Sequence, residues 1–286
     1  MTSLDDWRAG GAYFLHRGFC VFWREDGDRD APALLAIHGF PCSSADWRRI
    51  CPTLAARYRV LTIDMIGFGF SDKPFRYRYG VADQADLCDE FLALRLTTEY
   101  HIIAQGAGVG VAQELVVRSL ESQKRPRLLS VCFLNGGMLP HRLSMLRGLR
   151  WAPEPVLSLM TTKRSLSRVI VTLFGPRAPP DRTTLEEAWT LATQTNGRQI
   201  IHKLVRFACE CAEPLERRLH ALKRVQTPVK LIEGVLDPLL DGQMGTIYRD
   251  WTGRLSVTTL PEIGRYPQIQ APREVAEALF EFHNAF

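Results

Sequence analysis

His101-Ile-Ile-Ala-Gln-Gly-Ala-Gly-Val-Gly-Val-Ala-Gln-Glu114 is the stretch on which the fold turns. Its first five residues form a short apolar run suited to a strand. Gly106, Ala107 and Gly108 follow, small enough for a tight turn. The apolar positions after them recur with helical spacing. The segment therefore reads as strand, sharp turn, helix. Gly106-Ala-Gly-Val-Gly110 superficially resembles a dinucleotide loop but lacks the G-x-G-x-x-G spacing, so that reading is rejected.

Working outward, the same alternation repeats. Runs rich in Val, Ile, Leu and Phe predict strands near 12–16, 19–24, 33–38, 59–64, 101–105, 129–134, 229–234 and 255–260. The first two are close enough for a hairpin. The later ones are continuously apolar, as strands buried on both faces of a parallel sheet are. Helical patterns fall near 83–96, 108–122 and 272–285. Strand–helix alternation predicts an α/β sheet with right-handed crossovers. Between the sixth and seventh strands lies a longer gap. It carries helical patterns near 141–150, 153–174, 184–195 and 197–210, broken by Gly175-Pro-Arg-Ala-Pro-Pro180. An insertion at the carboxyl edge of a parallel sheet covers the ligand crevice. The expected organisation is a core over 1–137 and 227–286 with a helical cap over 138–226.

At 286 residues the chain can bury a full core. No apolar run approaches the roughly 20 residues of a transmembrane helix. Met1–Trp7 is acidic and lacks a signal-peptide pattern, so a cytoplasmic protein without an integral membrane segment is expected. The seven cysteines are an odd number and read as reduced core residues, not a disulfide framework. Cys209 and Cys211 have no further Cys or nearby His to complete a zinc site. Neither metal nor cofactor is expected. Net charge is +5, with scattered arginines, no dense block and no aromatic interleaving. That pattern fits a solvated surface and gives no ground for nucleic-acid binding.

Three loops follow successive strands: His38-Gly-Phe-Pro-Cys-Ser-Ser-Ala-Asp-Trp47, Asp64-Met-Ile-Gly-Phe-Gly-Phe-Ser-Asp-Lys-Pro74 and Gly234-Val-Leu-Asp-Pro238. With the 101–114 segment they resemble the α/β-hydrolase superfamily, in its epoxide-hydrolase and haloalkane-dehalogenase branch. Further segments, among them Val111-Ala-Gln-Glu-Leu115, Asn135-Gly-Gly137, Phe174-Gly-Pro176 and Tyr266-Pro-Gln268, resemble the mesoderm-specific transcript group over nearly the full length. The resemblance implies an eight-stranded, mostly parallel sheet with an inserted helical cap. It places the nucleophile elbow at Gly106, the catalytic base at Arg265 and the acid at Asp237. It also places an oxyanion hole at the backbone N–H groups of Phe40 and Ala107, with His38, Trp47, Gln105 and His141 around the pocket.

The two reacting positions depart from that pattern. The group carries Asp at the elbow and His before Tyr-Pro-Gln. Here Gly106 has no side chain, and Arg265 stays protonated and cannot accept a proton. No His occurs between 221 and 282 to replace it. An acid whose task is to orient an imidazole then has nothing to orient, and Arg265 is expected to turn into the crevice and pair with Asp237. The halide-holding side chains of dehalogenases are replaced by Phe40 and Ala107, and no Tyr falls in the cap to polarise an epoxide. His38 reads as a structural residue and His101 as a packed one. The expectation is a catalytically degenerate member that keeps a crevice for a small apolar ligand. The alternative is an active hydrolase that uses the oxyanion hole with His141 or Asp237 as base.

Overall fold

The computed structural model describes residues 2–122, 125–136, 151, 153–212, 216–240, 244–253 and 256–286. All eight expected strands form: β1 (Ala12–His16), β2 (Phe19–Asp26), β3 (Ala33–Ile37), β4 (Arg59–Ile63), β5 (Glu99–Gln105), β6 (Arg127–Leu134), β7 (Val229–Gly234) and β8 (Ser256–Leu260). They make one sheet in the order β1-β2-β4-β3-β5-β6-β7-β8. The β1–β2 and β2–β4 pairs are antiparallel and all others are parallel. The central strands β3 and β5 are buried almost throughout. β3 is accordingly apolar at every position, and β5 is apolar without alternation over 102–104.

Helices α1 (Leu4–Ala9), α2 (Cys51–Ala55), α3 (Val81–Leu94) and α4 (Gly108–Glu121) are followed, beyond β6, by α5 (Glu154–Met160), α6 (Lys163–Leu173), α7 (Arg182–Thr193), α8 (Gly197–Ala212) and α9 (Glu216–Arg224). α10 (Met244–Thr252), α11 (Pro267–Gln270) and α12 (Pro272–His283) complete the described elements. Two cores flank the sheet. One joins α3, α4 and residues of α8 and α10; the other joins α1, α2 and α12.

The helices between β6 and β7 differ in two places from the sequence reading. The pattern over 153–174 is two helices. Thr161 leaves the helical region, and Thr162 caps α6 by accepting from the Ser165 N–H at 3.1 Å while the Ser165 hydroxyl accepts from the Thr162 N–H at 2.9 Å. This reciprocal cap stabilises a new start where no Gly or Pro marks one. The short, charged α9 was not expected from the sequence; it packs on α4 and α10. The helix expected over 141–150 lies outside the described residues.

α8 is the long roof helix, packed on α3, α4, α5 and α7. Gly110 of α4 permits this approach. A Cβ there would lie 2.7 Å from both Cα and Cβ of Cys211 and 2.8 Å from its carbonyl oxygen. Gly110→Ala is expected to destabilise the protein by about 1–3 kcal/mol, because backbone of α8 must move away. Urea denaturation measures this, and an unchanged midpoint would mean the two helices are not in backbone contact.

Candidate active-site pocket

The elbow forms as its residues suggest. Gly106 ends the β5 turn at φ +56°, in the left-handed region, and α4 starts two residues later. A non-glycine residue held there costs on the order of 1–3 kcal/mol, a strain glycine avoids. The N–H groups of Phe40 and Ala107 meet no acceptor among the described residues. Both belong to a cavity of about 230 Å³ lined by Phe40, Gly106, Ala107 and Arg265 at its floor. Leu157, Met160, Leu166, Val169 and Val205 are among the apolar side chains of α5, α6 and α8 that form its walls and roof.

Arg265 turns inward. Its Nη1 donates to Asp237 Oδ2 at 3.0 Å, with Arg265 8% exposed and Asp237 1% exposed. Asp237 also accepts from Asn135 Nδ2 at 3.1 Å and from the Leu239 N–H at 3.0 Å. Asn135 is held in turn, donating to the Gly234 carbonyl at 3.0 Å and accepting from the Gly234 N–H at 2.7 Å. The Arg265 backbone is fixed on both sides: its N–H donates to Leu173 and its carbonyl accepts from Gln105 Nε2 at 2.9 Å. Gln270 anchors the preceding residue, accepting from the Gly264 N–H at 2.9 Å while donating to the Gly175 and Ala178 carbonyls. A Cβ built on Gly106 would lie 3.3 Å from Arg265 Nη2. The guanidinium thus faces the place a nucleophile would occupy.

Several expected pocket residues lie elsewhere. His38 is buried behind the floor, where Nε2 accepts from the Met65 N–H at 3.0 Å and Nδ1 contacts the Gly39 carbonyl at 2.8 Å. Burial pushes its pKa below the ordinary histidine value. Trp47 does not line the cavity. It ends a 3-10 turn, Ser44–Trp47, whose Ser44 N–H donates to Asp64 at 2.6 Å, and the indole packs into the core on the α1/α2 side of the sheet. Gln105 is also buried below the cavity, where its Nε2 donates to the Arg265 carbonyl and its Oε1 has no partner among the described residues. Asp237 sits behind Arg265 and does not line the cavity. His141 lies outside the described residues.

A second cavity of about 50 Å³ adjoins the first and holds Cys42, Asp46 and Tyr266. Burial raises all three: Asp46 to about 6, and the Cys42 thiol and Tyr266 phenol well above their usual values. A thiol so raised stays protonated and supplies no nucleophile. Among the described residues, no three His, Cys, Asp or Glu side chains gather as metal ligands would, and no helix is long and apolar enough to cross a membrane.

The sequence pattern of the alpha/beta hydrolase family matches residues 34–278. The chain belongs to the α/β-hydrolase family. It is 31% identical to the mouse mesoderm-specific transcript protein over 297 residues, covering 99% of this chain and 89% of that one. It is 30% identical to the putative hydrolase LipZ of Mycobacterium tuberculosis over 279 residues, covering 96% of each. Among solved structures, haloalkane dehalogenase DbeA from Bradyrhizobium elkani superposes with a TM-score of 0.80 at 22% identity, covering 96% of this chain and 99% of that one. The epoxide hydrolase CorEH superposes with a TM-score of 0.80 at 15% identity, covering 96% and 98%. Those two likenesses are of fold. Within it, this α/β hydrolase places an ion pair at the end of β7 and β8, opposite a bare glycine.

Proposed function

We propose that this α/β-hydrolase is a non-hydrolytic member of its family that binds a small apolar molecule in the cavity over Gly106. The observation that carries the reading is the Arg265–Asp237 pair facing Gly106. Hydrolysis in this fold needs an attacking side chain and a base. Glycine offers no nucleophile and a guanidinium takes no proton. In this reading the helices within 138–226 act as the cap over a core of 1–137 and 227–286, and the protein works in the cytoplasm.

One observation favours an alternative, a hydrolase with rebuilt chemistry: among the described residues the Phe40 and Ala107 amides meet no acceptor, which leaves them to hold an oxyanion. Asp237, its base among the described residues, does not reach the cavity wall.

The test is a panel of short-chain esters and epoxides, offered to the wild type and to Gly106→Asp/Arg265→His. The double variant is expected to turn over at least one substrate about 10³-fold faster than the wild type. Triad members act as a unit, and the residual scaffold supplies only a small part of the rate. Sustained wild-type turnover that Asp237→Asn abolishes would overturn the proposal.

A further inference from the structure

The cavity floor carries hydrogen-bond donors without matching acceptors. The Phe40 and Ala107 N–H groups have no acceptor among the described residues. Arg265, 92% buried, has five guanidinium N–H groups, and among the described residues the guanidinium's hydrogen-bond partner is Asp237, reached by Nη1. Nη2 points at the space above Gly106. The amino end of the 14-residue helix α4 opens at the same place, and its dipole adds positive potential. Asp237 lies behind Arg265 and is already satisfied by Asn135 and Leu239 as well. It cannot serve the cavity as an acceptor.

Unpaired buried donors are costly, so a ligand that brings acceptor atoms gains most. From the floor upward the walls are mostly apolar, with Leu157, Met160, Leu166, Val169 and Val205 around the remaining volume and the hydroxyl residues Thr161 and Ser165 between them.

We infer that the ligand is an apolar carboxylate. One carboxylate oxygen sits on the Phe40 and Ala107 amides, the other accepts from Arg265 Nη2, and the hydrocarbon chain runs up between α5, α6 and α8. This rests on the non-hydrolytic reading above and adds the ligand's head group to it. The guanidinium then bridges two carboxylates, Asp237 on Nη1 and the ligand on Nη2. The extra negative charge is offset by the two amides and the α4 dipole. An alcohol would supply an acceptor but no charge to pair with the guanidinium. An ammonium would face the like charge of the Arg265 guanidinium.

Calorimetric titration of the purified protein at neutral pH with octanoate, octanol, octylamine and methyl octanoate tests this. Octanoate is expected to bind about tenfold or more tighter than octanol, the scale of a charge-assisted hydrogen bond, and octylamine not at all. The variant Arg265→Met/Asp237→Asn removes the guanidinium without stranding the buried acid. It is expected to bind octanoate and octanol within about twofold of each other. Equal binding of octanol and octanoate to the wild type, binding of none of the four, or octanoate preference surviving in the double variant would each overturn the assignment. Equal binding without cleavage leaves the non-hydrolytic reading standing, whereas cleavage of methyl octanoate brings down that reading itself.

Discussion

Arg265→Met is expected to cost about 3–5 kcal/mol of folding stability, the scale for removing one partner of a buried ion pair. The charge left behind is Asp237, 1% exposed at the end of β7. Asn135 and Leu239 still donate to it, but neither carries a compensating charge. Desolvation of the orphaned carboxylate therefore dominates. The companion variant Arg265→Met/Asp237→Asn should recover most of the loss. It falls short by about 1 kcal/mol, because an amide offers one oxygen where two donors converge. Urea unfolding of the wild type, the single variant and the double variant settles the matter. A single variant as stable as the wild type would show that the guanidinium is not what holds Asp237 in its site.

Between pH 7 and pH 5 the protein is expected to lose on the order of 3 kcal/mol through a pair of histidines far from the cavity. His101 and His283 stack with ring centroids 4.2 Å apart, sharing the Ser130 hydroxyl at 2.8 and 2.7 Å, while Tyr58 hydrogen-bonds His283 at 2.6 Å. Burial lowers His101 from 6.5 to about 4, and burial with the neighbouring ring lowers His283 to about 3. Both folded-state values lie below the unfolded one, so the unfolded chain binds more protons in this window. The contribution is complete above pH 6.5 and is lost as pH falls towards 4 and then 3. Buried His38 acts in the same direction, whereas Asp46, raised by burial to about 6, acts against it. The difference between the wild type and His101→Phe/His283→Phe isolates the pair. Parallel stability–pH curves for the two proteins would rule this account out.

What could be read from the sequence was set by strand burial. β3 through β7 lie inside the sheet, and their continuous apolar runs announce them. The meeting of Arg265 with Asp237 was legible as well, because β7 and β8 are adjacent and parallel and their following loops share one edge. The pocket wall was not. Trp47 follows β3 and Gln105 ends β5, both beside the cavity, yet a 3-10 turn and a bond to the Arg265 carbonyl direct them below it. Spacing at a strand end or in the turn after it carries no periodicity that predicts such directions. Asn135 and Gln270 were missed as positioning residues for a related reason. Their roles consist of bonds to backbone atoms distant in sequence, Gly234 for one and Gly175 for the other. The break at Thr161 escaped notice because its cap uses Ser165, not the Glu or Gln that usually marks one.

The contact of Gly110 with Cys211 bears on how this scaffold can vary. Two main chains come close there, so the backbone spacing between α4 and α8 is set by that approach and not by side-chain packing. At Gly106 itself the floor cannot be lowered further, since glycine is already the smallest residue. The adjustable dimension is the wall built by α5 and α6, where Leu157, Met160, Leu166 and Val169 can be enlarged or trimmed with the backbone left in place. Retuning this protein for longer or shorter guests, by selection or by design, has those two helices as its workable material.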